Sequence, residues 1–361
     1  MSWAGTANRD CGHLHVPGKM AIESRQMTGR FTHIEQFGAL TTEMLKFRLR
    51  SAFFHVQNNL AKPALAGKLD FLNQLADVLA ENGLEPVLVQ GCKRIEEFAA
   101  AEPRHLHINM QDRPVQGDNI LSCSPSYLRG FWYLDRQGTR NNSSLAQQDF
   151  QPSTMDADFA RTFFARLRKT FVTTNRSKFP QTDRKPKSVK MGSISLFLQD
   201  FRPAPYAPAY VDYTDLMQVV VENRGARHVY IKPHPLQRVH ELEHIMPYHD
   251  PGAGVSVVDT SVHDLLAHSD MAVSQTSAVG FEANLHRVPM IMAGQVDFHH
   301  NCVTLRSPAH YADAMNSALT RRFHYEKYLV WFLKHNLFEP AQGARTRERC
   351  AALLREMGII A

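Results

Sequence analysis

With 361 residues, 43% of them hydrophobic and 21% charged, the chain is long enough for two globular domains of about 150–200 residues each. Its net charge of +6 is spread along the chain, without a dense basic run that carries interleaved aromatic residues. This pattern argues against a nucleic-acid partner, and it leaves an anionic substrate or an anionic membrane surface as the explanation of the charge.

The compartment is inferred from the cysteines and from the hydropathy of the chain. Five scattered cysteines without CxxC spacing indicate neither a disulfide framework nor a zinc site, and they favour a reducing compartment: Cys11, Cys92, Cys123, Cys302 and Cys350. The first 27 residues lack an apolar secretory core, and no run approaches the roughly 18 apolar residues of a membrane span. We therefore expect a cytoplasmic protein, and peripheral contact with the inner membrane stays open.

The N-terminal half has the pattern of a Rossmann-like domain. Residues 1–30 lack hydrophobic periodicity and are predicted to be a loose arm, followed by an acceptor-side domain over residues 31–185. A strand, an amphipathic helix and a second strand predict a βαβ unit and hence a parallel sheet, continued by two more strands: SAFFHVQNNL, GKLDFLNQLADVLAENG, EPVLVQ, HLHINM and NILSCS. The aromatic and polar stretch SYLRGFWYLDRQGTRNNSSL is predicted to be a functional loop with three candidate acceptor-side residues, or else an irregular surface loop: Arg129, Asp135 and Arg140.

The second half repeats the alternation more clearly. The polar, basic segment TNRSKFPQTDRKPKS is predicted to be the interdomain linker. Over residues 186–335, five short apolar strands separated by helices predict a doubly wound α/β domain that holds the donor. Residues 336–361 are predicted to form a closing helix. Two such domains facing each other across a cleft describe the GT-B architecture, in which ligands bind at the carboxyl ends of the strands.

The first chemical motif lies at the end of a predicted strand. In the sequence Lys232-Pro233-His234-Pro235, two prolines fix the backbone on either side of one imidazole. His234 could donate a hydrogen bond to a leaving phosphate, and Lys232 would add positive charge. The alternative is a rigid turn with a capping histidine.

The second motif lies between a buried strand and a helix. Hydroxyl groups and backbone N–H groups at a helix N-terminus can bind an anion, and four polar residues occupy this position: Ser274, Gln275, Thr276 and Ser277. Glu282 follows about a turn and a half after Thr276, where its carboxylate could accept hydrogen bonds from ribose hydroxyls. The alternative is that Thr276 or Ser277 only caps the helix.

Three segments of the second half resemble a known family. YIKPHP, HDLLAHSDMAVSQTSAVGFEANLHRVPMIMAGQVDFHHN and EKYLVWFLKHN are similar to segments of the capsule polysaccharide biosynthesis family, over residues 190–335. That family includes retaining β-Kdo transferases that act on CMP-Kdo. The resemblance implies that Glu282 holds the ribose, that Gln199 and Asp200 lie at the cleft, and that donor phosphate is contacted by His234, Ser274, Thr276 and Ser277.

The catalytic assignment is the least constrained. A retaining transferase of this type is expected to need a carboxylate at the anomeric centre, and Asp200 directly follows a predicted strand. Family members place their acid a few residues later, where FRPAPYAPAY offers none, so Asp200 could instead cap a turn before Pro203. Asp135, from the opposite domain, is the reserve candidate.

No cofactor or metal ion is expected. The pairs His105 and His107 or His299 and His300 have no cysteine or carboxylate at ligand spacing, and neither GxxxxGK[ST] nor GxGxxG occurs. The helix KYLVWFLKHNLF is predicted to pack at the domain junction, with contact to a membrane surface as the alternative.

The sequence therefore predicts a glycosyltransferase of capsule or other surface polysaccharide synthesis. Its partners would be a CMP-linked donor of Kdo or a related acidic sugar and a glycan or glycolipid acceptor. A UDP- or GDP-sugar or CDP-glycerol donor on the same fold stays open, as does a non-catalytic partner in capsule assembly or export.

Overall fold

The protein folds into two β-sheets with helices packed against them. The structure is a computed structural model that describes residues 25–34, 49–90, 94–199 and 208–361. The first sheet has the strand order β1-β2-β4-β3-β5-β6-β7, and its strands are β1 Arg25–Thr28, β2 Phe31–Ile34, β3 Ser51–Val56, β4 Glu85–Gln90, β5 Leu106–Met110, β6 Ile120–Pro125 and β7 Trp132–Asp135. Its five central strands are parallel, and an antiparallel strand closes each edge.

The second sheet is parallel throughout. Its order is β10-β9-β8-β11-β12-β13, with β8 Ser193–Phe197, β9 Val229–Lys232, β10 Val255–Val257, β11 Ser269–Ser274, β12 Met290–Met292 and β13 Val303–Thr304. The order reverses beside β8, and this reversal opens a crevice at the carboxyl ends of β8 and β11. The predicted fold class of two Rossmann-like α/β halves is confirmed, while the domain boundary near residue 185 stays a prediction.

Eleven helices in the described residues cover or join these sheets: α1 Asn58–Leu65, α2 Asp70–Glu81, α3 Ile95–Ala101, α4 Ala157–Phe171, α5 Tyr213–Glu222, α6 Val239–Ile245, α7 Val262–His268, α8 Val279–Glu282, α9 Tyr311–Thr320, α10 Tyr325–Val330 and α11 Ala344–Glu356. A π-helical turn, Trp331–Asn336, continues α10. Among all the residues that the structure describes, no helix is both long enough and apolar enough to cross a membrane.

Four strands were not predicted. Strand β1 lies within the predicted loose arm, β2 directly follows it, β7 lies within the predicted functional loop, and β13 adds a sixth strand to a sheet predicted to have five. Each has two to four residues, too few to show a period. Long-range pairing completes β7, because Trp132 exchanges backbone hydrogen bonds with Phe338 at 2.8 and 2.9 Å.

One aromatic cluster joins the two halves. Tyr127 stacks on Phe281 with ring centroids 5.3 Å apart, and Phe281 lies 4.7 Å from the ring of Phe332. Phe332 is fully buried and the neighbouring Trp331 is nearly so. The segment KYLVWFLKHNLF therefore packs between the halves, as the favoured interpretation predicted.

The C-terminal helix returns to the first sheet. Cys350 and Leu354 of α11 lie in the same buried cluster as Leu75 and Leu79 of α2. The predicted closing helix therefore packs on the N-terminal half.

We expect Leu354→Ala to lower the free energy of unfolding by about 2–5 kcal/mol, because the side chain is fully buried and its removal leaves a cavity. Urea denaturation followed by circular dichroism measures the change. Leu319→Ala is the control, since Leu319 is 39% exposed and its truncation should change stability by no more than about 0.5 kcal/mol. Equal effects of the two substitutions would contradict the packing of α11.

Candidate nucleotide-sugar site

A cavity of about 530 Å³ lies at the carboxyl ends of β8, β9 and β11. Its walls come from both halves and from the segment between them. The lining includes polar, charged and ring-bearing residues: Tyr127, Arg140, Asn141, Ser177, Lys178, Phe179, Gln181, Gln199, Lys232, Pro233, His234, Pro235, Thr276, Ser277 and Glu282. The volume is in the range of pockets that bind small molecules.

The KPHP motif forms one wall. Lys232 ends β9, and its Nζ donates to Asp259 Oδ1 at 2.8 Å. The Asp259 side chain is 87% exposed, so this partner offsets the charge of Lys232 only weakly. His234 follows between two prolines, and its Nδ1 accepts the backbone N–H of Leu236 at 3.3 Å. In the neutral imidazole this contact places the proton on Nε2.

The residues at the end of β11 and directly after it have two different structural roles. Ser274 Oγ donates to Phe197 O at 2.7 Å, and Gln275 Nε2 donates to Val211 O at 2.8 Å. Neither residue lines the cavity, so the structure does not place the predicted nucleotide contacts of Ser274 and Gln275 at the site. Instead, their hydrogen bonds fix this segment to neighbouring backbone.

The next two residues do line the cavity. Thr276 Oγ1 accepts from Gln199 Nε2 at 2.9 Å, and Ser277 Oγ accepts the backbone N–H of Val279 at 3.3 Å. A Cβ on Gly294 would lie 2.6 Å from Thr276 Cγ2, so only glycine lets this backbone pass so closely. The structure thus brings Thr276, Ser277 and Gln199 together in the lining of one cavity.

Glu282 is the buried carboxylate of the cavity, with 1% of its surface exposed. Oε1 accepts from Ser177 Oγ at 2.7 Å, whereas buried Oε2 has no hydrogen-bond partner among the described residues. Burial raises the pKa of Glu282 to about 7, although Ser177 and Lys178 oppose this shift. An unsatisfied buried carboxylate oxygen is costly, so a ligand hydroxyl group here would be stabilising.

The segment between the two sheets forms a wall that the sequence analysis treated only as a linker. Phe179 packs edge-on against His234 with ring centroids 5.2 Å apart, and Lys178 lies beside it in the lining. The segment is fixed to the C-terminal half because Gln181 Oε1 accepts the N–H of Val262 at 3.0 Å and Lys185 N donates to Asp264 at 2.5 Å. Its one sequence signal was an aromatic residue directly after a lysine in an otherwise polar stretch.

Of the acceptor-side candidates, only Arg140 lines the cavity. Its backbone has φ of 54°, a left-handed conformation that is uncommon for a residue with a side chain. Its Nε and Nη2 lie 3.4 and 3.3 Å from Pro125 O. Arg129 is exposed and lies outside the lining.

Of the two catalytic candidates, Asp200 lies outside the described residues and Asp135 does not line the cavity. Asp135 lines a second cleft, where its carboxylate accepts the backbone N–H groups of Gln137, Gly138 and Ser144 at 2.7, 3.1 and 3.0 Å and the Ser144 hydroxyl at 2.6 Å. These contacts occupy both oxygens, so the structure gives Asp135 the task of shaping the loop over residues 137–144.

A second buried carboxylate, missed by the sequence analysis, connects the halves. Asp297 is fully buried and accepts three hydroxyl groups from the N-terminal half: Tyr127 at 2.8 Å, Tyr133 at 2.8 Å and Ser143 at 2.7 Å. Burial raises its pKa to about 7, and the three hydroxyl donors oppose the shift. Gln295 Nε2 adds a hydrogen bond to Asn141 O at 2.8 Å, so this network fixes the cavity wall that carries Arg140.

The fold and the position of the cavity define a two-domain α/β protein of the GT-B type. Residues 204–335 match the family described as "Capsule polysaccharide biosynthesis protein", which confirms the predicted resemblance over these residues. No curated protein matches the chain.

Two solved structures from Thermosulfurimonas dismutans share the fold. The KpsC β-Kdo 2,7 transferase has a TM-score of 0.50 at 12% identity, with 84% of this chain and 99% of that one covered. The KpsC β-Kdo 2,4 transferase has a TM-score of 0.51 at 14% identity, with 83% and 98% covered. At these identities the likeness concerns the fold alone.

Proposed function

We propose that the chain is a glycosyltransferase of capsule or surface polysaccharide synthesis, which transfers Kdo or a related acidic sugar from a CMP donor to a glycan or glycolipid acceptor at the cytoplasmic face of the membrane. The observation that carries the proposal is one cavity that combines two kinds of group. Lys232 and His234 are suited to bind a phosphate, and the unsatisfied Glu282 carboxylate is suited to accept sugar hydroxyl groups.

The chemical task of these groups would be electrostatic. As the bond from the anomeric carbon to the donor phosphate breaks, negative charge grows on the leaving nucleotide. Lys232 and the Nε2–H of His234 would stabilise that charge within a cavity closed by both halves. Asp200 stays the candidate for the carboxylate at the anomeric centre.

A thermal-shift screen against CMP, CDP, UDP and GDP tests the proposal, because a ligand that binds only the folded state raises the melting temperature by mass action. We expect the largest shift with CMP. A larger shift with UDP, GDP or CDP would replace the donor while keeping the fold, and no shift with any nucleotide would favour a non-catalytic role in capsule assembly or export.

Nucleotide-sugar binding should depend on pH through Glu282. Its pKa of about 7 means that the free protein holds a proton there below neutrality, whereas donated ribose hydroxyls favour the ionised form. Affinity is therefore expected to rise between about pH 6 and pH 8, by at most tenfold per pH unit. Calorimetric titration with a CMP-sugar, whose phosphodiester does not titrate in this range, measures the trend.

Glu282→Gln is the matched variant for this test, since it keeps the shape and removes the titration. The rise of affinity with pH should be absent in it. An identical pH dependence in both proteins would assign the titration to another group.

A further inference from the structure

Among the described residues that line the cavity, cations outnumber carboxylates. Arg140, Lys178 and Lys232 are the three cations, and Glu282 is the one carboxylate, whose Oε1 already accepts a hydrogen bond from Ser177. Lys232 is paired with Asp259, and it lies in the wall formed by the KPHP motif, which we assign to the donor phosphate. The remaining positive charge belongs to Arg140, in the N-terminal half, and to Lys178, in the segment between the halves.

Arg140 is held without a strong partner. Its contacts to Pro125 O are 3.3 and 3.4 Å long, and its Nη1 lies 3.8 Å from Asp112, whose side chain is 79% exposed. Strong, charge-assisted hydrogen bonds from a guanidinium group to a carboxylate are about 2.7–2.9 Å long. Most of the donor capacity of this guanidinium is thus available to a ligand. Its left-handed backbone is also the kind of local strain that collects at binding sites.

Lys178 has even less support. Among the described residues its ammonium group makes neither an ion pair nor a hydrogen bond, and Nζ lies 5.7 Å from the centroid of the Phe179 ring. Arg140 and Lys178 line the same cavity, where an anion bound between them would offset their like charges. Burial and the charge of Arg140 lower the pKa of Lys178, while Asp112 and Glu282 act to raise it.

We propose that Arg140 and Lys178 form a second anion subsite, which binds the carboxylate of an acidic sugar while Lys232 and His234 bind the donor phosphate. The inference rests on the proposed function and adds the residues that select the sugar. A planar carboxylate matches the fork of a guanidinium group, and a CMP donor has only one phosphate, so the second negative group must belong to the sugar.

The test compares ligands that differ in one charged group. Wild type, Arg140→Gln and Lys178→Met are titrated with CMP, with CMP-N-acetylneuraminate, and with free N-acetylneuraminate and its methyl ester. We expect wild type to bind the CMP-sugar about tenfold more tightly than CMP, and to bind the free acid more tightly than the ester. Both variants should lose these preferences while their affinity for CMP stays within about threefold of wild type.

Control variants and the possible outcomes distinguish a failure of the carboxylate subsite from a failure of the proposed CMP donor. Arg129→Gln and Lys187→Met alter exposed cations outside the lining, and they should leave every affinity unchanged. Equal weakening of CMP and the CMP-sugar in Arg140→Gln and Lys178→Met, or no preference for the acid in wild type, would overturn the carboxylate subsite. Wild type that binds the free acid through these residues but binds no CMP would support the subsite and contradict the CMP donor.

Discussion

Replacing Asp297 with alanine is expected to lower the free energy of unfolding by about 3–5 kcal/mol. The substitution leaves the hydroxyls of Tyr133 and Ser143 buried without their acceptor, and Tyr127 keeps only a 3.3 Å contact to Asn141. Each buried polar group left unsatisfied costs about 1–3 kcal/mol. Chemical denaturation with two probes, one of them near-ultraviolet circular dichroism of the aromatic cluster, measures the loss.

The pH dependence of stability gives Asp297 a second signature. Its pKa is raised to about 7 in the folded protein, above the usual value near 3.8, so the folded state binds the proton more tightly. Its contribution to stability is full below about pH 4 and is lost as the pH rises through about 7. Glu282 contributes with the same sign.

Asp297→Asn isolates the share of Asp297, because it retains the shape but cannot titrate. Over pH 4–7 the stability of wild type should fall relative to that of the variant. Parallel stability curves, or an alanine variant as stable as wild type, would show that the carboxylate does not join the two halves as described.

The second large effect is expected at the donor site. His234→Ala and Glu282→Ala should each weaken nucleotide binding about tenfold or more, since a hydrogen bond to a charged group contributes about 1.5–3 kcal/mol. Isothermal titration with the nucleotide that gives the largest thermal shift measures the affinity, and circular dichroism confirms that the variants fold.

Two substitutions on α6 serve as controls. His240→Ala and Glu243→Ala remove the same side-chain types at exposed positions outside the cavity, and they should bind nucleotide like wild type. If both His234→Ala and Glu282→Ala bind nucleotide with wild-type affinity, the assignment of the donor site is wrong.

Much of the fold could be predicted because its elements have strong local patterns. The leucines of α2 recur at helical spacing, and the four longest strands of the first sheet are short apolar runs between turns. The strands β1, β2, β7 and β13 could not be predicted, because two to four residues are too few to show a period. Strand β7 also depends on a distant segment, since the backbone of Trp132 pairs with that of Phe338.

The candidate site divides in the same way. His234, Thr276 and Glu282 follow apolar strands, so topology predicts that they meet at one edge of a sheet. Lys178 and Phe179 join them only because the linking segment is fixed to Val262 and Asp264, contacts that span about eighty residues and leave no local pattern.

Asp135 shows the opposite case. Its place in an aromatic, polar stretch without hydrophobic period suggested chemistry, but three backbone N–H groups of its own loop donate to the carboxylate. Asp297 attracted no attention in the sequence, because its three partners lie more than 150 residues away.

The most direct test of the central claim is a crystal structure with the nucleotide selected by the thermal-shift screen. We predict that the nucleotide lies in the cavity at the carboxyl ends of β8, β9 and β11, with its phosphate beside Lys232 and His234 and a ribose hydroxyl on Glu282 Oε2. A nucleotide bound in the second cleft beside Asp135, or bound in this cavity without contact to His234 and Glu282, would contradict the account.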